Sequence, residues 1–249
     1  MKNLTASFPE KSLPEIKKIE KEFYQNLCDY AVEMLKLLTI SKETLIKRME
    51  FLQPEVPDGF AQQRQSILFL ASHQFNWEWL LVSASASFPM AIDFVYQPVN
   101  NKFFDHLSLT IRSRFGAHAI KRDEVAREIV KRKNIVRGIA TVADQYPGYG
   151  HDKKYQQTFL HQETVFFYGT NQLAMLTQYP AVYYVIRKVR RGYYQASPVM
   201  VAAPPYEKQG DQVIGSYVKL LEQVIREQPS TWLWSHNRWK KRHLENQPD

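Results

Sequence analysis

A single cysteine and only nine glycines punctuate this chain, and both scarcities close off whole classes of chemistry. One thiol, Cys28, permits no disulfide framework and no thiolate metal site, and is compatible with a reducing compartment. There is no Gly-rich phosphate loop, no G-x-S-x-G elbow and no Cys-x-x-Cys pair, so several common enzyme classes are removed. No apolar stretch reaches the roughly 18 residues of a membrane span, and MKNLTASFPEKS lacks the apolar centre of a signal peptide, so the chain as it stands reads as soluble or peripheral. Long blocks of like charge, internal repeats and linkers are missing too, which argues against extensive disorder and against a split into domains.

What is present is enough apolar material for one core: 249 residues, 44% hydrophobic, predict a single domain over 1–249. Its parts are a helical N-terminal segment (1–65), an α/β core (66–235) and a basic tail (236–249). The net charge of +8 favours anionic partners, which leaves nucleic acid, phospholipid headgroups and an acidic carrier protein open.

Apolar residues at helical spacing from Leu13 to Ile40 predict a long amphipathic helix, and Ser41 is placed to cap a second. The run ILFLA at 67–71 then reads as a buried strand, followed by a helix capped by Asn76. Strand and helix alternate from there: strands at 91–96, 117–120 and 138–143, helices at 100–115 and 123–133. Such alternation implies βαβ units and an α/β fold with a mixed central sheet flanked by helices. Residues 151–161 read as a surface loop. A helix near 171–178, a hairpin of strands (181–189 and 193–201) and a helix at 210–227 complete the order.

One histidine stands where such sheets present reactive groups, at the carboxyl end of the first strand, in ASHQFNWEWLL. Glu78 follows His73 by five positions. Seven histidines and 25 acidic residues should produce about 0.7 such spacings by chance, and the chain has two, so spacing decides little. In the second, His118 and Asp123, the histidine falls within a strand and Asp123 is placed to cap a helix, a structural reading. His73 precedes a helix start, where the turn at Asn76 lets Glu78 reach back and fix the imidazole tautomer. A buried histidine bonded to a capping glutamate explains the same residues equally well.

The sequence resembles the lipid A late acyltransferases of the glycerolipid acyltransferase group over almost its whole length. The resemblance is carried in order by SHQFNWEW, YQPVNNKFFD, IRSRFG, ADQYPG, FFYGTNQLA, VIRKVRRGYY and WLWSHNRWK. It implies His73 and Glu78 as catalytic residues, with Arg114 of IRSRFG and Asp144 of ADQYPG in substrate binding, and Asn76 is placed with them. It also implies transfer of a fatty acyl chain from acyl carrier protein or coenzyme A to a hydroxyl of a lipid A precursor or related glycolipid, without metal or other cofactor. Another membrane lipid as acceptor, or a catalytically silent lipid-binding role, are the alternatives. The implied partners are the acyl carrier, the glycolipid and an anionic membrane surface, with no nucleic acid, at the cytoplasmic face of the bacterial inner membrane.

Three departures stand out. Phe75 replaces a frequent glycine and is expected to narrow the approach to His73 or to alter acceptor choice; Asn237 replaces an arginine; and the hydrophobic anchor with which family members usually begin would end just before this chain starts. The five tryptophans fall in two motifs, and Trp239 beside Lys240, Lys241 and Arg242 suggests an interfacial anchor as much as a frayed basic terminus. Arg187, Lys188, Arg190 and Arg191 read more simply as a charged hairpin protecting a sheet edge.

Overall fold

A computed structural model describes residues 2–148 and 153–239. The N-terminal segment forms α1 (Lys2–Ser7), α2 (Leu13–Lys36) and α3 (Lys42–Arg48). Helix α2 begins where the Glu15 carboxylate accepts the Ser12 N–H at 2.8 Å, and Ser41 caps α3 by accepting the Thr44 N–H at 3.2 Å. The long helix ends at Lys36 rather than Ile40, because residues 37–39 form a turn. The short strand β1 (Met49–Phe51) and helix α4 (Glu55–Gln62) precede the central strand.

That strand, β2 (Ile67–Ala71), is buried at every position. After it the chain runs α5 (Trp77–Ser87), β3 (Ala91–Tyr96), α6 (Lys102–Arg112), β4 (His118–Lys121), α7 (Val125–Lys131) and β5 (Arg137–Val142). Then come the hairpin β6 (Lys154–Phe159) and β7 (Gln162–Phe167), helix α8 (Gly169–Thr177), the long hairpin β8 (Ala181–Arg190) and β9 (Tyr193–Ala202), and α9 (Gln212–Glu227). The expected loop at 151–161 is thus corrected over Lys154–Phe159. Its inward positions include the polar Gln157, which hides the two-residue period; residues 151 and 152 lie outside the described residues.

The seven-stranded sheet has the order β1-β9-β8-β2-β5-β3-β4, and its pairs are parallel except β8 with β9. This is the mixed sheet flanked by helices that the alternation implied. Because successive side chains of a strand point to opposite faces, Leu68 and Leu70 enter one apolar layer with α9, while Phe69 and Ala71 enter the other with α5. Helix α2 belongs to both layers: Ile16, Ile19 and Phe23 pack into the first, and Leu37 at its end packs into the second. It therefore passes the carboxyl end of β2, where Phe23 and Tyr30 stack on Phe75 at ring distances of 5.9 and 5.4 Å. Among the described residues no helix is long and apolar enough to cross a membrane.

Candidate active site

Strands β2 and β5 run parallel with Ala71 opposite Val142. Two residues further along each strand, the same register brings His73 beside Asp144. Asp144 Oδ1 lies 2.6 Å from His73 Nδ1, and its Oδ2 accepts the His73 backbone N–H at 2.9 Å and the Trp232 indole N–H at 2.7 Å. Asp144 is buried, whereas the His73 side chain keeps 18% of its surface exposed. Burial pushes the Asp144 carboxyl up, but the His73 ring and the three donated hydrogen bonds outweigh it, holding the group below its ordinary value. An ionised Asp144 at this distance selects the tautomer with hydrogen on Nδ1, which leaves the Nε2 lone pair for chemistry.

The tautomer-fixing contact expected from Glu78 is therefore supplied by Asp144. Glu78 is held elsewhere: Arg112 Nε and Nη2 donate to its two oxygens at 2.8 and 2.5 Å, and the Trp77 indole donates at 3.0 Å. Burial raises the Glu78 carboxyl, yet the Arg112 charge and these hydrogen bonds bring it below its ordinary value, with His73 adding to the same effect. Glu78 thus feels His73 electrostatically while its lone pairs are spent on Arg112 and Trp77. Its place in the first turn of α5 turns it toward α6, away from the end of β2.

Arg114 stands outside the lining of the cleft beside His73. Its Nη1 donates to the carbonyls of Leu37 and Ile40 at 2.8 and 2.5 Å, so it ties the end of α2 to the end of α6. The arginine that faces the site is Arg112, which shares one face of α6 with Asp105, Ser108 and Leu109, whereas Arg114 lies in the turn beyond the end of the helix. Choosing between the two arginines of IRSRFG needed the helix end and its inner face to be known.

Asn76 is wholly committed to structure. Its Oδ1 accepts the Trp79 N–H at 3.1 Å and its Nδ2 donates to Glu33 at 2.8 Å, inside a buried cluster that also receives the Tyr194 hydroxyl. Phe75 does not narrow the approach to His73; it is buried under α2 against Phe23, Tyr30 and Trp77. His118 pairs with Glu128 at 3.2 Å rather than with Asp123, which sits in a 3-10 turn ahead of α7. The pair is structural, with a different partner.

Trp239, weighed as an interfacial anchor against a frayed basic terminus, packs inward with the tryptophans before it. Trp232 and Trp234 are buried, Trp239 donates to Thr164 Oγ1 at 2.7 Å, and Arg238 donates to the Val165 carbonyl at 2.6 Å. Large aromatic surface is better placed in the core once each indole N–H finds an acceptor there. Asn237 is exposed, and Lys240, Lys241 and Arg242 lie outside the described residues. Trp232 was missed as a site residue because its contact with Asp144 spans 88 positions.

Beside His73 opens a cleft of about 310 Å³ between α5, α6 and the ends of β3 and β5. Phe69, Leu80, Phe94 and Ala140 are among its apolar walls, and Thr141, Gln145 and the Glu78–Arg112 pair are among its polar ones. A slot walled by both apolar and polar side chains, with an available imidazole nitrogen at its rim, suits a substrate that joins an apolar chain to one reactive carbonyl.

Among curated proteins none matches this chain significantly. The family model described as bacterial lipid A biosynthesis acyltransferase matches residues 1–241, and the chain belongs to that acyltransferase family.

Proposed function

We propose that this acyltransferase moves a fatty acyl chain from the thioester of acyl carrier protein or coenzyme A onto a hydroxyl of a lipid A precursor or related glycolipid, working peripherally at the cytoplasmic face of the inner membrane. The observation that carries the chemistry is the His73–Asp144 couple at the rim of the cleft. Neutral His73 takes the proton of the acceptor hydroxyl at Nε2 while the oxygen attacks the thioester carbonyl. The carbon–oxygen bond forms, the tetrahedral intermediate collapses with cleavage of the carbon–sulfur bond, and the departing thiolate takes the proton back from the imidazolium. Asp144 orients the ring and stabilises its cationic form. The acyl chain occupies the cleft between α5 and α6, and Arg112 presents the cationic side of its pair with Glu78 to an anionic part of a substrate. The step so written uses the acyl thioester as co-substrate and calls on no further cofactor.

Another acceptor lipid suits the same cleft. Phe75, whose bulk beside His73 would have favoured a silent lipid binder, packs under α2 and does not line the cleft. The test is incubation with acyl carrier protein and coenzyme A thioesters in the presence of a total lipid extract. Mass spectrometry should find a glycolipid heavier by one acyl group, absent with His73→Ala. New acyl groups confined to lysophospholipids or aminolipids would refute the glycolipid assignment.

A further inference from the structure

Helix α2 has two apolar faces, and among the described residues only the inner one packs into the core. The inner stripe, Ile16, Ile19, Phe23, Tyr30 and Leu37, packs against the core. On the opposite side Tyr24, Cys28, Ala31, Val32 and Leu35 follow one another at helical spacing and are exposed, Val32 and Leu35 at 67% and 61%, with Leu38 continuing the stripe. Towards the start of the helix the same stripe is prolonged by the exposed Lys17 and Lys21, with Glu20 at its edge and Lys18 and Lys36 beside it. The solvated face of an amphipathic helix is ordinarily polar, and this row departs from that in a protein of mean hydropathy −0.43.

We infer that the outer face of α2 is the surface by which this protein docks on an anionic bilayer, lying in the headgroup plane with Tyr24, Val32 and Leu35 inserted and Lys17 and Lys21 against phosphates. The combination of an apolar stripe with in-line lysines is what the interface between acyl chains and anionic headgroups selects, and the net charge of +8 favours the same partner. A second copy of the chain suits it less. From Tyr24 to Leu38 the stripe is about 21 Å long and about 10 Å wide. That is about 200 Å² against the roughly 800 Å² each partner contributes to a stable interface. The docked helix also reaches the site: Tyr30 on its inner side stacks on Trp77 at 4.4 Å, and Trp77 meets the His73 ring at 5.1 Å. A bilayer beneath α2 therefore lies about one helix diameter from the cleft. The inference rests on the proposed use of a lipid acceptor for its purpose, but not for its test.

The single cysteine supplies the probe, because Cys28 lies within the stripe. The full chain is labelled there with an environment-sensitive fluorophore and titrated with phosphatidylcholine vesicles, with and without phosphatidylglycerol. Emission should shift to the blue with the anionic vesicles, less so at high salt. Val32→Glu with Leu35→Glu should weaken co-sedimentation about tenfold or more. Val130→Glu, an exposed apolar position on α7, should leave it unchanged. In detergent micelles the Val32→Glu/Leu35→Glu variant should keep wild-type acyl transfer and lose it only on vesicles. Sedimentation with vesicles while the Cys28 label stays in water, or undiminished binding by the double variant, would overturn the inference. So would a dimer in solution that the double variant splits, since the stripe would then belong to a second copy. A blue shift without acyl transfer by any form in micelles would sustain the docking surface and sink the proposed reaction instead.

Discussion

Replacing Asp144 by asparagine exchanges one oxygen for an NH2 group at nearly constant shape, and the hydrogen bonds decide where each goes. Oδ2 accepts two N–H groups, from the His73 backbone and Trp232, while Oδ1 faces only His73 Nδ1. The amide oxygen must stay on the Oδ2 side, because an NH2 there would confront two buried donors. The NH2 then faces Nδ1 and requires it to accept. The imidazole hydrogen moves to Nε2, and the lone pair that would remove the acceptor proton is gone. A carboxylate-to-amide change with this consequence costs about 10⁴ in kcat, or about 5.5 kcal/mol of transition-state stabilisation. Steady-state kinetics with an acyl thioester and the lipid acceptor should show that loss in kcat with little change in KM, and circular dichroism should show an intact fold. A variant within tenfold of the wild-type kcat, or a defect seen only in KM, would refute the assignment of Asp144 as the group that orients His73.

Glu78→Gln should act first on stability, because it leaves the largely buried Arg112 with a neutral partner at a cost of about 3 kcal/mol; Glu78→Gln with Arg112→Gln should unfold at a higher temperature than Glu78→Gln alone, and a lower one would contradict the pairing. Arg114→Ala should lower the melting temperature by the loss of two charge-assisted hydrogen bonds, about 2 kcal/mol in all, with kcat/KM retained. A selective fall in kcat/KM would return Arg114 to the substrate. Asp144 and Glu78 both titrate below their ordinary values in the folded protein. The stability they contribute is therefore complete above about pH 5, where both carboxyls are ionised in the unfolded chain as well. It is lost as pH falls through their lowered folded pKa values. Asp144→Asn should flatten the acid limb of the unfolding curve, and an unchanged slope would count against an ionised Asp144.

The strands at 91–96 and 138–143, the buried run at 67–71 and the long helix from Leu13 were legible because period and burial are local properties, repeated every two or 3.6 residues. The position of His73 at the end of a central strand was legible for the same reason, and the ordered motifs sufficed to point to an acyltransferase. Which carboxylate meets the histidine was not. Glu78 is five residues away and Asp144 is 71, yet the parallel register of β2 with β5 sets the distant one against the ring, while the turn into α5 swings the near one toward Arg112. In the same way Trp239, read as an interfacial anchor or part of a frayed terminus, was placed only by Thr164 opposite its indole nitrogen, and the contact of Trp232 with Asp144 was invisible to local spacing. Sequence by itself determined most elements of the α/β core, their order and the place of His73 at a strand end. Only the tertiary structure decided its partner, because strand register and helix phase are settled by packing across the whole sheet, which no local spacing contains.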